Sequence, residues 1–216
     1  MEATTAFLQH AATFAGINGG NPDSPLWFCG IEYGTGRDKV HLDEPDRRMG
    51  CNAGFPFYTD KTVADAGGWD EVCKWPYVQK MARISLAYRG QSNIRIAAVK
   101  KHIRGGLLGA APNGATCHLN LYPLPMNRSG DDGFTGEHQA LTGFPNKVLY
   151  KAWCMEHRFP FLKGLVEKYR PEVIVCTGSS FTQDFRYAFL GVDRIHPEVG
   201  ATRDVVKLAR ELEDAP

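Results

Sequence analysis

Glu172-Val173-Ile174-Val175-Cys176-Thr177, followed at once by Gly178-Ser179-Ser180, is the stretch whose reading decides the fold class. Its continuous apolar, β-branched centre favours a strand buried on both faces. Upstream, Phe161, Leu162, Leu165, Val166 and Tyr169 recur at helical spacing, and Pro171 stops that helix. Downstream, Gly178-Ser179-Ser180 supplies a turn and an N-cap for a helix over Phe181–Leu190. A helix, a buried strand and a second helix in close succession are the repeating unit of a parallel sheet with helical cover.

Two runs nearer the N-terminus repeat the strand signal. Leu26-Trp27-Phe28-Cys29-Gly30-Ile31 is apolar and aromatic, between Pro25 and a glycine loop, and Ala115–Leu121 ends at Tyr122-Pro123-Leu124-Pro125. Val192–Ile195 is a weaker fourth candidate. Helical patterns cover Thr4–Ala15, Trp69–Tyr88 with a break at Pro76, Ile94–Arg104 and an amphipathic segment Thr202–Asp214. Gly16–Pro22, Tyr33–Gly68 and Asn127–Gly143 read as glycine-rich turns and loops. Strands separated by helices require crossovers, which cover both faces of the sheet. The expectation is a single α/β domain over 1–216, a three-layer α/β/α sandwich with a short central parallel sheet.

Composition narrows the function classes. The hydrophobic share of 43% supports a core, and 23% charged residues give an ordinary solvated surface. Apolar runs fall far short of the ~20 residues that span a bilayer, and the N-terminus lacks the pattern of a signal peptide. A soluble, cytoplasmic protein without membrane association is expected. Six cysteines at 29, 51, 73, 117, 154 and 176 form no C-x-x-C pair, which argues against a zinc ribbon, a dithiol redox site or a disulfide scaffold. A net charge of +1 sets up no global field towards nucleic acid, and Lys100–Arg104 reads as a solvated basic face.

Ligands of open parallel sheets gather beyond the carboxyl ends of the strands. Three segments sit there by construction: Gly30-Ile31-Glu32-Tyr33-Gly34, Leu119-Asn120-Leu121-Tyr122-Pro123 and Thr177-Gly178-Ser179-Ser180. The crevice collects the carboxylate of Glu32, the carboxamide of Asn120 and helix-terminal amides at Ser179 and Ser180 suited to an anion. His118 lies two residues before Asn120, on the same face of its strand. Each residue also has a purely structural use. A glutamate after a strand can brace a loop, an asparagine can close a turn, and Phe55 and Phe57 fit a core.

The order of these segments resembles that of the uracil-DNA glycosylase superfamily. Gly30-Ile31-Glu32-Tyr33-Gly34 is similar to its first motif, Phe55-Pro56-Phe57 to its Pro-Phe segment, His118-Leu119-Asn120-Leu121 to its Leu-Asn element, and His196-Pro197 to its His-Pro motif. Glu32 stands where aspartate or asparagine is more usual, and Glu198 where the family has serine. The resemblance implies that Glu32 orients water and His196 polarises the base carbonyl. It implies that Phe57 stacks on a flipped base, that Asn120 and Tyr33 contact it, and that Gly34, Ser179 and Ser180 meet the phosphate backbone. It implies a monomer acting on DNA with a damaged or deaminated base, without metal or other cofactor. Two other classes stay open: a catalytically inactive module of the same fold that binds a nucleobase, nucleic acid or protein, and a small hydrolase with Ser179 or a cysteine as nucleophile.

Overall fold

A computed structural model describes residues 3–11, 19–32, 63, 67–107, 114–126 and 133–191. Strand β1 is Gly19–Gly20, β2 Leu26–Gly30, β3 Cys117–Asn120 and β4 Val173–Cys176. They form one sheet in the order β1-β3-β2-β4. β2 pairs in parallel with both β3 and β4, in the registers Phe28↔His118 and Phe28↔Val175, while β1 runs antiparallel to β3. The chain steps from β2 to one side and then crosses back to the other. With right-handed crossovers, such a reversal puts the connecting helices on opposite faces.

The helices follow that rule. α1 is Thr5–Ala11, α2 Trp69–Val72, α3 Pro76–Tyr88 and α4 Ile96–His102. α5 is Gly136–Thr142, α6 Lys147–Trp153, α7 Phe159–Tyr169 and α8 Thr182–Leu190. Leu26, Phe28 and Val175 pack against α2, α3 and α4 through Val72, Met81, Leu86 and Val99. The alternate residues Trp27, Cys29, Cys117, Leu119 and Ile174 face α1, α6, α7 and α8 through Phe7, Tyr150, Leu162 and Phe185. Burial on both faces is why β2 and β3 read as unbroken apolar runs instead of alternating ones. The expected two-sided burial of β4 is corrected, since this strand lies at the edge of the described sheet with Val173 and Cys176 exposed.

The expected wholly parallel sheet is corrected to a mixed one, because a two-residue antiparallel strand pairs with β3 where a turn was expected. Gly19 and Gly20 have φ of 104° and 114°. A Cβ on Gly20 would lie 2.4 Å from the Thr116 carbonyl oxygen, so only glycine permits the approach. The expected loop Asn127–Gly143 is corrected too, since it contains α5. The Thr135 side chain caps this helix, and the Thr135 N–H donates to His138 Nδ1 at 3.1 Å. With Nδ1 accepting, the ring proton sits on Nε2, 3.0 Å from the Pro125 carbonyl oxygen, tying the turn after β3 to α5. Pro76, read as a break, is the first residue of α3. The fourth strand candidate Val192–Ile195 and the segment Thr202–Asp214 lie outside the described residues. Among the described residues, no helix is long and apolar enough to cross a membrane.

Candidate functional site

The carboxyl ends of β2 and β3 are held in register beyond the strands themselves. Gly30 pairs with Asn120, and the amides of Leu121 and Tyr122 donate to the carbonyls of Gly30 and Ile31 at 2.9 and 2.8 Å. This fixes the backbone of the first loop up to the residue before Glu32. The Asn120 side chain shares its face of β3 with His118, because Cys117 and Leu119 belong to the opposite core. It is buried, at 3% exposure. Its Oδ1 lies 3.1 Å from the point a Cβ of Gly30 would occupy, and the Tyr77 hydroxyl lies 3.8 Å from the same point.

Tyr77 reaches this place because Pro76 starts α3 directly over the sheet end. Its ring stacks on His118 with centroids 5.3 Å apart and planes 23° apart, and its hydroxyl shares a 3.1 Å hydrogen bond with His118 Nε2. The Thr177 hydroxyl lies 3.5 Å from the Tyr77 oxygen. Burial drives the His118 pKa down to about 4, so the imidazole is neutral at neutral pH. β3, the residue after β4 and one helix thus place a carboxamide, a neutral imidazole, a phenol and a hydroxyl together on the α3 side of the sheet.

Glu32 turns to the other layer. Its Oε1 lies 3.5 Å from Nζ of Lys147, the first residue of α6, and the two side chains are 7% and 1% exposed. Glu32 Oε2 is buried with no hydrogen-bond partner among the described residues. Burial pushes the carboxyl pKa up, and the nearby Lys147 ammonium and its hydrogen bond oppose that rise. Lys151, one turn further along α6, adds a smaller opposing field. Lys151 also sits 4.6 Å from the Phe181 ring centroid, against the turn that follows β4. Next to the pair, the Tyr122 hydroxyl donates to Asp184 Oδ2 at 2.7 Å.

The structure therefore brings Glu32 and Asn120 to neighbouring strand ends, over opposite layers of one sheet. Ser179 and Ser180 lie in an exposed 3-10 turn, Ser179–Phe181, that leads into α8. Ser179 also lines an open, mostly apolar groove of about 620 Å³ along β4 and α8, with Ile174, Phe185, Arg186 and Leu190. Tyr33, Gly34, Phe57 and His196, together with Phe55, lie outside the described residues. Cys29, Cys117 and Cys154 are buried, and burial raises each thiol pKa, so none is a thiolate at neutral pH.

Sequence reading missed Lys147, Tyr77 and Arg158. Lys147 gave no usable signal, because its burial shows only in the folded chain. A cation at the first position of a helix opposes the helix dipole, so a buried lysine there implies a carboxylate partner. Arg158 is fully buried and donates to the carbonyls of Leu121, Ala11 and Asn120 at 3.0, 2.6 and 2.8 Å, which holds the end of β3 in place.

These features define a mixed α/β protein with buried polar side chains on both layers at the carboxyl ends of its parallel strands. Compared with protein-family models, with curated proteins and with solved structures, the chain matches none.

The contact at Gly30 makes one prediction. Alanine at this position puts a methyl 3.1 Å from Asn120 Oδ1, tighter than an ordinary contact, and the amide must give way. Gly30→Ala should change stability by no more than about 3 kcal/mol while shifting the side-chain amide resonances of Asn120. Unshifted resonances would show that Gly30 does not position the carboxamide.

Proposed function

We propose that the protein is a base-excision glycosylase of the uracil type, hydrolysing the N-glycosidic bond of a flipped-out uracil or related damaged pyrimidine in DNA. The observation that carries the reading is the pairing of Gly30 with Asn120, which puts a buried carboxylate and a buried carboxamide on neighbouring strand ends. Asparagine presents both a donor and an acceptor to a base edge. A carboxylate over the same end of the sheet suits a reaction that builds positive charge on the sugar.

In the proposed step, water oxygen bonds to the sugar C1′ as Glu32 takes one water proton. The C1′–N bond breaks, and its electron pair leaves on the base. Asn120 donates to the oxygen where that charge collects, and the proton on Glu32 passes through solvent to the departing base.

The test is cleavage of uracil-containing oligonucleotides by the wild-type protein, Glu32→Gln and Asn120→Ala. Abasic product is expected from the wild type, with each variant slower by at least about a hundredfold. No abasic product from the wild type, or product unchanged by Glu32→Gln, would sink the reading.

One feature favours a second reading, a non-catalytic module of the same fold that binds a nucleobase, nucleic acid or protein. Glu32 is 7% exposed and already engaged by Lys147, as a bracing residue would be. In that case nucleobase or DNA binding survives Glu32→Gln and is lost in Asn120→Ala, with no abasic product from any form.

A further inference from the structure

We infer that Lys147 is a positioning residue for Glu32: its ammonium holds Oε1 and leaves Oε2 as the carboxylate's working oxygen. The inference rests on the glycosylase reading for what Oε2 does, but not for the pairing itself.

Three observations carry it. Both side chains are more than nine-tenths buried, at 7% and 1% exposure, with Oε1 and Nζ 3.5 Å apart. Taking either charge out of water alone costs several kcal/mol, and the contact between the two offsets part of that cost for each. Second, Lys147 begins α6, where the Asn146 side chain accepts from the Leu149 amide and the helix dipole disfavours a cation. Nothing in the helix itself calls for lysine at this position. Third, an ionised carboxylate accepts several hydrogen bonds. Glu32 spends one oxygen on Lys147, while Oε2 stays buried with no partner among the described residues. A buried acceptor left without a donor is costly, and a reacting water molecule satisfies it.

Among the described residues, the groups facing Glu32 come from α6 and from the turn after β3. α6 contributes Lys147, Tyr150 and Lys151, and the turn after β3 contributes Tyr122, whose hydroxyl is itself bound to Asp184 of α8. Burial raises the Glu32 pKa most, and since the two tyrosines are held neutral by burial, the lysines are the charged groups among the described residues that oppose the rise. Of these only Lys147 touches the carboxylate.

Carbon-13 titration of Glu32 in the full chain tests the pairing without any need for activity, with Glu32→Gln used to assign the resonance. In Lys147→Met, which keeps length and removes charge, the Glu32 midpoint should rise by at least about one unit. Lys147→Arg should hold it near the wild-type position. If the wild type forms abasic product, the acid limb of its kcat–pH profile should move by the same amount in Lys147→Met, with KM little changed. An unmoved midpoint in folded Lys147→Met overturns the inference. A moved midpoint in a protein that makes no abasic product refutes the glycosylase reading alone. Should Lys147→Met fail to fold, the Lys147→Met/Glu32→Gln double variant decides. Removing both charges should restore folding, and a double variant as unstable as the single overturns the pairing.

Discussion

Replacing Arg158 by methionine should destabilise the fold by on the order of 4 kcal/mol, a large part of the 5–15 kcal/mol that holds a typical domain. The guanidinium is fully buried in the last residue before α7. It donates to the carbonyl of Ala11, which ends α1, and to the carbonyls of Asn120 and Leu121 at the end of β3. A terminal helix carbonyl lacks a partner within its own helix, and a cation there also meets the negative end of the dipole. Methionine fills most of the volume but leaves three buried acceptors without their donor, at about 1–3 kcal/mol each before relaxation. Lysine should recover only part of the loss, because one ammonium cannot reproduce a planar fork aimed at three carbonyls. Guanidinium denaturation of the wild type, Arg158→Met and Arg158→Lys checks this. A methionine variant within 1 kcal/mol of the wild type would show that these carbonyls find other donors. Because Asn120 and Leu121 are among the acceptors, the Asn120 side-chain resonances should also broaden before global unfolding.

Where the sequence was informative, side-chain pattern and backbone role coincided. β2 and β3 announce themselves as apolar runs because both faces of each are covered, whereas β4 reads the same way although, at the edge of the described sheet, its Val173 and Cys176 are exposed. α7 and α8 show helical periodicity because each lays one stripe on the sheet. The strand pattern alone was enough to place Glu32 and Asn120 just beyond or at the carboxyl ends of β2 and β3, where the fold has them. What stayed illegible depends on groups without a pattern. β1 is two glycines, whose strand pairing comes from backbone geometry and leaves no side-chain trace. α5 starts in a glycine- and aspartate-rich stretch, and its cap uses histidine at the place where glutamate or glutamine is the familiar signal. Lys147 and Arg158 belong to residue types that normally face water. Their burial follows from partners more than a hundred and about forty positions away, at Glu32 and Asn120, and only the folded chain brings these together.

Acidification should cost the native state about 3 kcal/mol through His118 alone. Burial beside Phe28 and Tyr77 takes its pKa from the ordinary 6.5 to about 4, and each unit is worth about 1.4 kcal/mol. The sign follows from which state binds the proton more tightly. The unfolded chain protonates this histidine near 6.5 and the folded chain only near 4. The contribution is therefore complete above 6.5 and is lost as pH falls through 4. His102 and His138 are also lowered by burial and act in the same direction. Glu32 acts in the opposite direction. Its raised pKa gives stability that is full below the ordinary carboxyl range and is lost as pH rises through the folded value. The two effects overlap below pH 6.5, so a wild-type curve alone does not isolate His118. The difference between the wild type and His118→Gln does, since glutamine keeps a polar group near Tyr77 and cannot titrate. Between pH 7 and 4 the wild type should lose about 3 kcal/mol more than this variant in urea unfolding. Parallel curves would mean that the folded chain accommodates the imidazolium, and proton NMR of the His118 ring would then titrate near 6.5. The same displacement bears on the polar groups at the strand ends. A histidine held neutral beside Asn120 offers a ligand hydrogen bonding and a flat apolar edge but no positive charge, so among the described residues the cations at this end of the sheet, Lys147, Lys151 and Arg158, belong to the opposite layer.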